Sequence, residues 1–169
     1  MVRIHYFEGV RSGIVNTRDV NDMIYNANDI VKKFKVRYDF EGYGTPMKWD
    51  IWRYENGKRI DDMHILKRTT NSTVILFFLG ISIINTFEFK LNYNRDINFN
   101  PSRISEKQLR EMVSLVNKKM RQKKSKTVFN IKRQERNKKW IFKENGSVLL
   151  SNATSKDVYI YLIGMLTVL

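Results

Sequence analysis

The sequence predicts an α+β fold, a mainly antiparallel sheet with two to three helices in a single compact domain. Three observations predict it: two stretches whose apolar residues recur at helical spacing, two Asn-Gly pairs between extended segments, and runs rich in Ile, Val, Phe and Thr between those pairs. No unit of about 20 to 50 residues repeats, and no Gly/Ser-rich or Pro-rich linker divides the 169 residues.

The elements follow in chain order. Residues 2–7 read as a short strand. Asn16, Thr17, Arg18 and Asp19 then supply a capping side chain and an acidic group in the first helical turn. Val20, Met23, Ile24, Ala27, Ile30, Val31 and Phe34 share one face of the helix that follows, to about Lys35. Asn56-Gly57 favours a tight hairpin pairing 47–55 with 58–68, and Asn145-Gly146 one pairing 138–144 with 147–151. Residues 73–79 and 81–93 are β-branched and aromatic and read as strands broken at Gly80. Ser105 with Gln108 three residues on forms a capping box, and Leu109, Met112, Val113, Val116 and Met120 mark the buried face of a second helix. Thr154 with Asp157 opens a third helix to Leu169, although Val158, Tyr159, Ile160 and Tyr161 also suit a strand.

Composition narrows the function. The chain is 42% apolar and 12% aromatic, enough to bury a core, and this excludes intrinsic disorder. With 31 Lys+Arg against 17 Asp+Glu it carries +14 and a pI near 10.0. Such a chain calls for an anionic partner: nucleic acid, a ribonucleoprotein or an anionic membrane surface. No cysteine is present, so disulfides, Cys-ligated zinc, iron–sulfur clusters and thiol catalysis are excluded, and no cofactor is expected. The opening segment has no signal-peptide core. The longest apolar runs fall short of the roughly 20 residues of a spanning helix. An intracellular protein is expected, in host cytoplasm or a virion if viral.

The charge is concentrated. Lys118, Lys119, Arg121, Lys123, Lys124, Lys126, Lys132, Arg133, Arg136, Lys138, Lys139 and Lys143 face Glu135 alone, so residues 118–143 carry +11. Alternation in the strands puts Phe129 and Ile131 on one face with Lys132 on the other, and Trp140 and Phe142 on one face with Lys139 and Lys143 on the other. An inward aromatic face turns the lysines outward, giving a ridge over a helix end, a loop and a hairpin that suits a row of phosphates. The same alternation makes Trp140 a core residue. Trp52 and Tyr54 lie opposite Trp49 and Ile51, so either helices cover both faces of that strand or Trp52 and Tyr54 are contact aromatics.

Catalytic patterns are sparse. Glu88 and Lys90, with Asp61 and Asp62 upstream, resemble the carboxylates and lysine of a Mg²⁺-dependent nuclease, but the proline before the acidic residue is missing. Asp62 and His64 share a face without a third metal ligand. With no phosphate-binding Gly-rich loop, nucleophile elbow or catalytic carboxylate pair, a binding protein is expected rather than an enzyme.

An opening strand, a helix entered through Thr17-Arg18-Asp19-Val20, a strand after Gly80, a helix near 109–120 and the late Lys139-Trp140-Ile141-Phe142 strand together resemble the layout of rhabdovirus matrix proteins. The resemblance implies a non-enzymatic viral protein that condenses ribonucleoprotein, self-associates and lies beneath an anionic membrane. The basic run here comes late where that family's comes early. The competing expectation is a counter-defence or regulatory protein of a phage or mobile element that binds host nucleic acid or a nucleoprotein.

Overall fold

The computed structural model describes residues 16–60, 65–84 and 103–169. The expected strand at 2–7, the Glu88/Lys90 pair, and Asp61, Asp62 and His64 lie outside these residues.

The first helix, α1 (Thr17–Val31), starts at the Asn16 cap with the expected reciprocal bonds to Asp19 and buries Val20, Met23, Ile24, Ala27 and Val31. A 3₁₀ turn (Lys32–Phe34) ends at Lys35 in the left-handed region and releases the chain into β1 (Val36–Tyr43). β2 (Lys48–Glu55) pairs antiparallel with β1, with β3 (Lys58–Arg59) across Asn56-Gly57, and with β4 (Leu66–Thr69). The expected hairpin partner at 58–68 is thus two short strands, both laid against β2.

Next comes α2 (Asn71–Ile83), and it corrects the sequence expectation of a strand at 73–79 broken at Gly80. Thr70 caps it by accepting from the Thr73 N–H. Residues 73–81 are all buried, so no polar stripe marks a helical period, and burial on every side overrides the β preference of Val74, Ile75, Phe77 and Phe78. Residues 81–83 of the expected 81–93 strand belong to the same helix, and residues 85–93 lie outside the described residues.

The second half runs through α3 (Glu106–Gln122), β5 (Phe129–Arg133), β6 (Trp140–Glu144), β7 (Ser147–Ala153) and α4 (Ser155–Val168). Ser105 caps α3 through the Gln108 N–H, and Thr154 and Asp157 form the expected capping box, which decides for helix at 158–161. The three strands form their own antiparallel sheet in the order β5-β6-β7.

The two halves are one design used twice: helix, antiparallel strands, helix. Asn28 in α1 donates to the Tyr38 carbonyl at 2.8 Å and accepts from its N–H at 2.7 Å, and Asn117 in α3 does the same to Phe129 at 2.7 and 2.8 Å. Trp49 donates its indole N–H to Asn71 at the start of α2, and Trp140 donates to Ser155 at the start of α4. Arg68 and Asn152, both at φ 51, sit in matching irregularities between strand pairs Trp49↔Thr69 and Ile51↔Leu66 in one sheet and Trp140↔Ala153 and Phe142↔Leu150 in the other. Both Asn-Gly turns have positive φ at both residues.

α2 and α4 cross at matching glycines. A Cβ on Gly80 would strike the Tyr161 carbonyl and one on Gly164 the Phe77 carbonyl, so each glycine admits the other helix's backbone. α1 packs on α2 and α3 on α4, and each sheet lays its aromatic face on its own helices. Arg53 shares the buried face with Trp49 and Ile51 and pairs with Glu55; burial, opposed by Arg53, pushes the neighbouring Tyr38 up to about 12.

Candidate nucleic-acid interface

The inner face of the second sheet carries Phe129, Ile131, Trp140, Phe142 and Leu150, all buried, with Phe129 stacked on Phe142. Trp140 is core, as its alternation predicts. The parity of β5 and β6 then sets the outer face: Asn130 beside Lys143, Lys132 beside Ile141, and Val148 on the other side of Lys143. Lys132 is exposed and Lys143 half-buried. Lys139, half-buried, follows the same parity just before β6.

Two loops extend this cationic face. Lys124, in the left-handed region, and Lys126 are exposed in the connection from α3 to β5. That connection is held by backbone bonds from Lys124 N–H to the Arg121 carbonyl at 2.9 Å and from Ser125 N–H to the Met120 carbonyl at 3.0 Å. The backbone that carries these cations is therefore fixed before any partner arrives, which reduces the backbone entropy lost on binding. Partial burial and the neighbouring Lys119 pull Lys123 below its ordinary value. At the other end, Arg136 and Lys138 are exposed in the turn from β5 to β6, closed by the Lys138 N–H on the Gln134 carbonyl at 3.0 Å and the Gln134 N–H on the Lys139 carbonyl at 2.8 Å.

The expected single ridge divides round the β5 edge of the sheet. α3 packs through Leu109, Val113, Val116 and Met120 on the inner, helical side, so Lys118, Lys119 and Arg121 lie on the layer behind the sheet, while Lys132, Lys139 and Lys143 lie on its outer face. The loop of Lys123, Lys124 and Lys126 joins the two groups. Arg121 turns toward β5, and Lys119 lies on the opposite flank of α3.

The first sheet's outer face is different. Trp52 and Tyr54 lie there half-buried, opposite the helices, so among the described residues helices cover one face of β2 and not the other. Arg59 stacks over Trp52 at 5.1 Å and Arg37 over Tyr54 at 4.7 Å, which occupies both rings. Asp39, Glu41 and Asp50 complete this face, and Asp50 accepts from the Tyr43 hydroxyl at 3.1 Å and from the Arg68 N–H at 2.7 Å.

Sequence reasoning missed Arg110 and the pairing of Arg133. Glu106 in α3 accepts from Arg110 at 2.8 Å and from Arg133 of β5 at 3.1 Å, and both guanidinium groups lie about 6 Å above Trp140. Arg110, with help from Arg133, holds the Glu106 carboxyl below its ordinary value. The i,i+4 spacing of Glu106 and Arg110 is the available sequence signal.

No family model, curated protein or solved structure matches the chain. Among the described residues no helix is long and apolar enough to cross a membrane.

Proposed function

We propose that the chain is a non-enzymatic binding protein that docks nucleic acid, free or as ribonucleoprotein, on the outer face and flanking loops of its second sheet. One observation carries this reading. The two sheets are built alike, yet at matching outer positions Asp39 becomes Asn130, Glu41 becomes Lys132, Asp50 becomes Ile141 and Trp52 becomes Lys143. A general excess of lysine would leave both faces equally charged, whereas here Asp39, Glu41 and Asp50 balance Arg37, Lys48 and Arg59 on the first face, and on the second no carboxylate of β5 or β6 shares the side of Lys132, Lys139 and Lys143. Every phosphate neutralised there would release counterions, so affinity should fall steeply with salt. A matrix-type role in condensing ribonucleoprotein and a regulatory role on host nucleic acid would both use this face.

The test replaces Lys123, Lys124, Lys126, Lys132 and Lys139 together with Gln. These side chains lie outside the core, so the fold should persist. The slope of log affinity for an oligonucleotide against log salt should shrink by about 0.7 to 0.9 for each phosphate that is no longer neutralised. Unchanged affinity with an unchanged slope would reject the proposal.

A further inference from the structure

The two halves differ at the seam between first helix and first strand. In the first, Tyr25 of α1, itself largely exposed, stands edge-on to Phe40 of β1 across the seam between helix and strand, ring centroids 5.8 Å apart. The matching residues in the second half are Ser114 and Ile131. There, between α3 and β5, lies a groove of about 270 Å³, lined by Arg110, Ser114, Asn117 and Arg121 from the helix and Asn130 and Ile131 from the strand.

The strand side of this groove is a row of backbone groups. β5 pairs with β6 on one side, and among the described residues nothing pairs with its other edge. Asn117 meets that edge at Phe129, where its carboxamide both donates to the carbonyl and accepts from the N–H, as a neighbouring peptide unit would. In an antiparallel strand alternate residues turn their N–H and C=O to the same edge, so Ile131 presents its own pair beside Ser114. An edge of this kind is a template for another strand.

The chemistry selects the occupant. Ile131 offers an acceptor as well as a donor, and the Asn130 carboxamide adds one of each. A phosphate chain only accepts and would leave the carbonyl unpaired, whereas a peptide backbone matches both. Arg110 and Arg121 stand at the two ends of the α3 flank, roughly 16 Å of helix rise apart. That is the length of about five residues of strand, so carboxylates about four residues apart on one strand face would reach both guanidinium groups. Arg110 gives two of its N–H groups to Glu106 and has more than two to give.

We propose that this groove is a second site, distinct from the cationic outer face, that takes an extended acidic peptide as an added strand on β5. The backbone of Ile131 fixes the register, and Arg110 and Arg121 read two acidic side chains.

The test uses the full chain and two fluorescent nine-residue peptides of identical Thr, Val and Glu composition, read by anisotropy. One places its two Glu four apart, on the same strand face; the other places them three apart, on opposite faces. The first should bind at least tenfold more tightly than the second. The double variant Ser114→Tyr/Ile131→Phe, which transplants the Tyr25–Phe40 contact, should weaken it at least tenfold while binding of a thymidine oligonucleotide stays unchanged. Ser114→Tyr alone, at an exposed helix position, serves if the pair fails to fold by circular dichroism. No binding by either peptide, equal binding of the two, or peptide binding that survives the filled groove would each overturn the proposal. So would a filled groove that costs oligonucleotide affinity in place of peptide affinity, since the groove would then belong to nucleic acid. The site stands apart from the nucleic-acid reading: loss of oligonucleotide binding in the five-lysine variant leaves the peptide result untouched.

Discussion

Gly164 has no room for a side chain, because a Cβ there would meet the Phe77 carbonyl of α2, and Gly80 is held in the same way by Tyr161. Backbone cannot step aside as a flexible side chain can, so Gly164→Ala should lower stability by about 3 kcal/mol or more, the upper range of overpacking. A urea titration checks this, and a loss below about 0.5 kcal/mol, the scatter of neutral surface changes, would contradict the crossing. Residue-level features with a local rule behind them were legible in the sequence. Alternation alone places Trp140 inside and Lys132 and Lys143 outside, and the Asn16, Ser105 and Thr154 caps all stand where spacing put them. The glycines were not legible as a contact, since Gly80 read as a strand break; what demands a glycine there is another helix far away in sequence.

α3 is the element that ties the candidate site together, through its own apolar face and through Glu106 clamped between Arg110 and Arg133. A carboxyl held below its ordinary value of 4.5 stabilises the fold above that pH. Its contribution is lost as pH falls through the lowered value. Glu106→Gln should therefore be less stable than the parent near pH 7, and the gap should begin to close as pH drops below 4.5. A gap that stays constant from neutral to acid pH would mean that the pairing of Glu106 does not stabilise the packing of α3 on β5. Among the described elements, α2 was misread as a strand and β1 was not anticipated. The thirteen residues of α2 carry a Thr70 cap that propensity outweighed, because a helix buried on all sides has no amphipathic period to announce it. The antiparallel hairpins were legible because an Asn-Gly turn and alternating strands are local signals; the division of 58–68 into two strands depends on packing against β2.

At the scale of the whole molecule, the duplication is what gives the charge its meaning. It was written thinly in the sequence, as Lys48-Trp49 with Glu55-Asn56-Gly57 against Lys139-Trp140 with Glu144-Asn145-Gly146, and as Gly80 against Gly164. The side chains between these anchors have diverged, and the spacing drifts by the lengths of loops, so no short period emerges. The basic run was legible as a cluster. Its wrapping round the β5 edge was not, because that depends on which side of the sheet α3 packs. The groove between α3 and β5 was equally hidden, since its lining residues come from a helix and a strand whose packing side no local signal gives.

Two copies of one scaffold also supply the control that most directly tests whether the charge is a localised docking surface. The measurement is the salt dependence of oligonucleotide affinity for the five-lysine variant beside a matched variant, Lys33→Gln, Lys35→Gln, Lys48→Gln, Lys58→Gln and Lys67→Gln, which removes the same charge from the first copy. The second-copy variant should lose most of the slope of log affinity against log salt, and the first-copy variant should keep at least three quarters of it. Equal losses in the two variants would contradict a localised surface and return the +14 to a diffuse property of the whole chain.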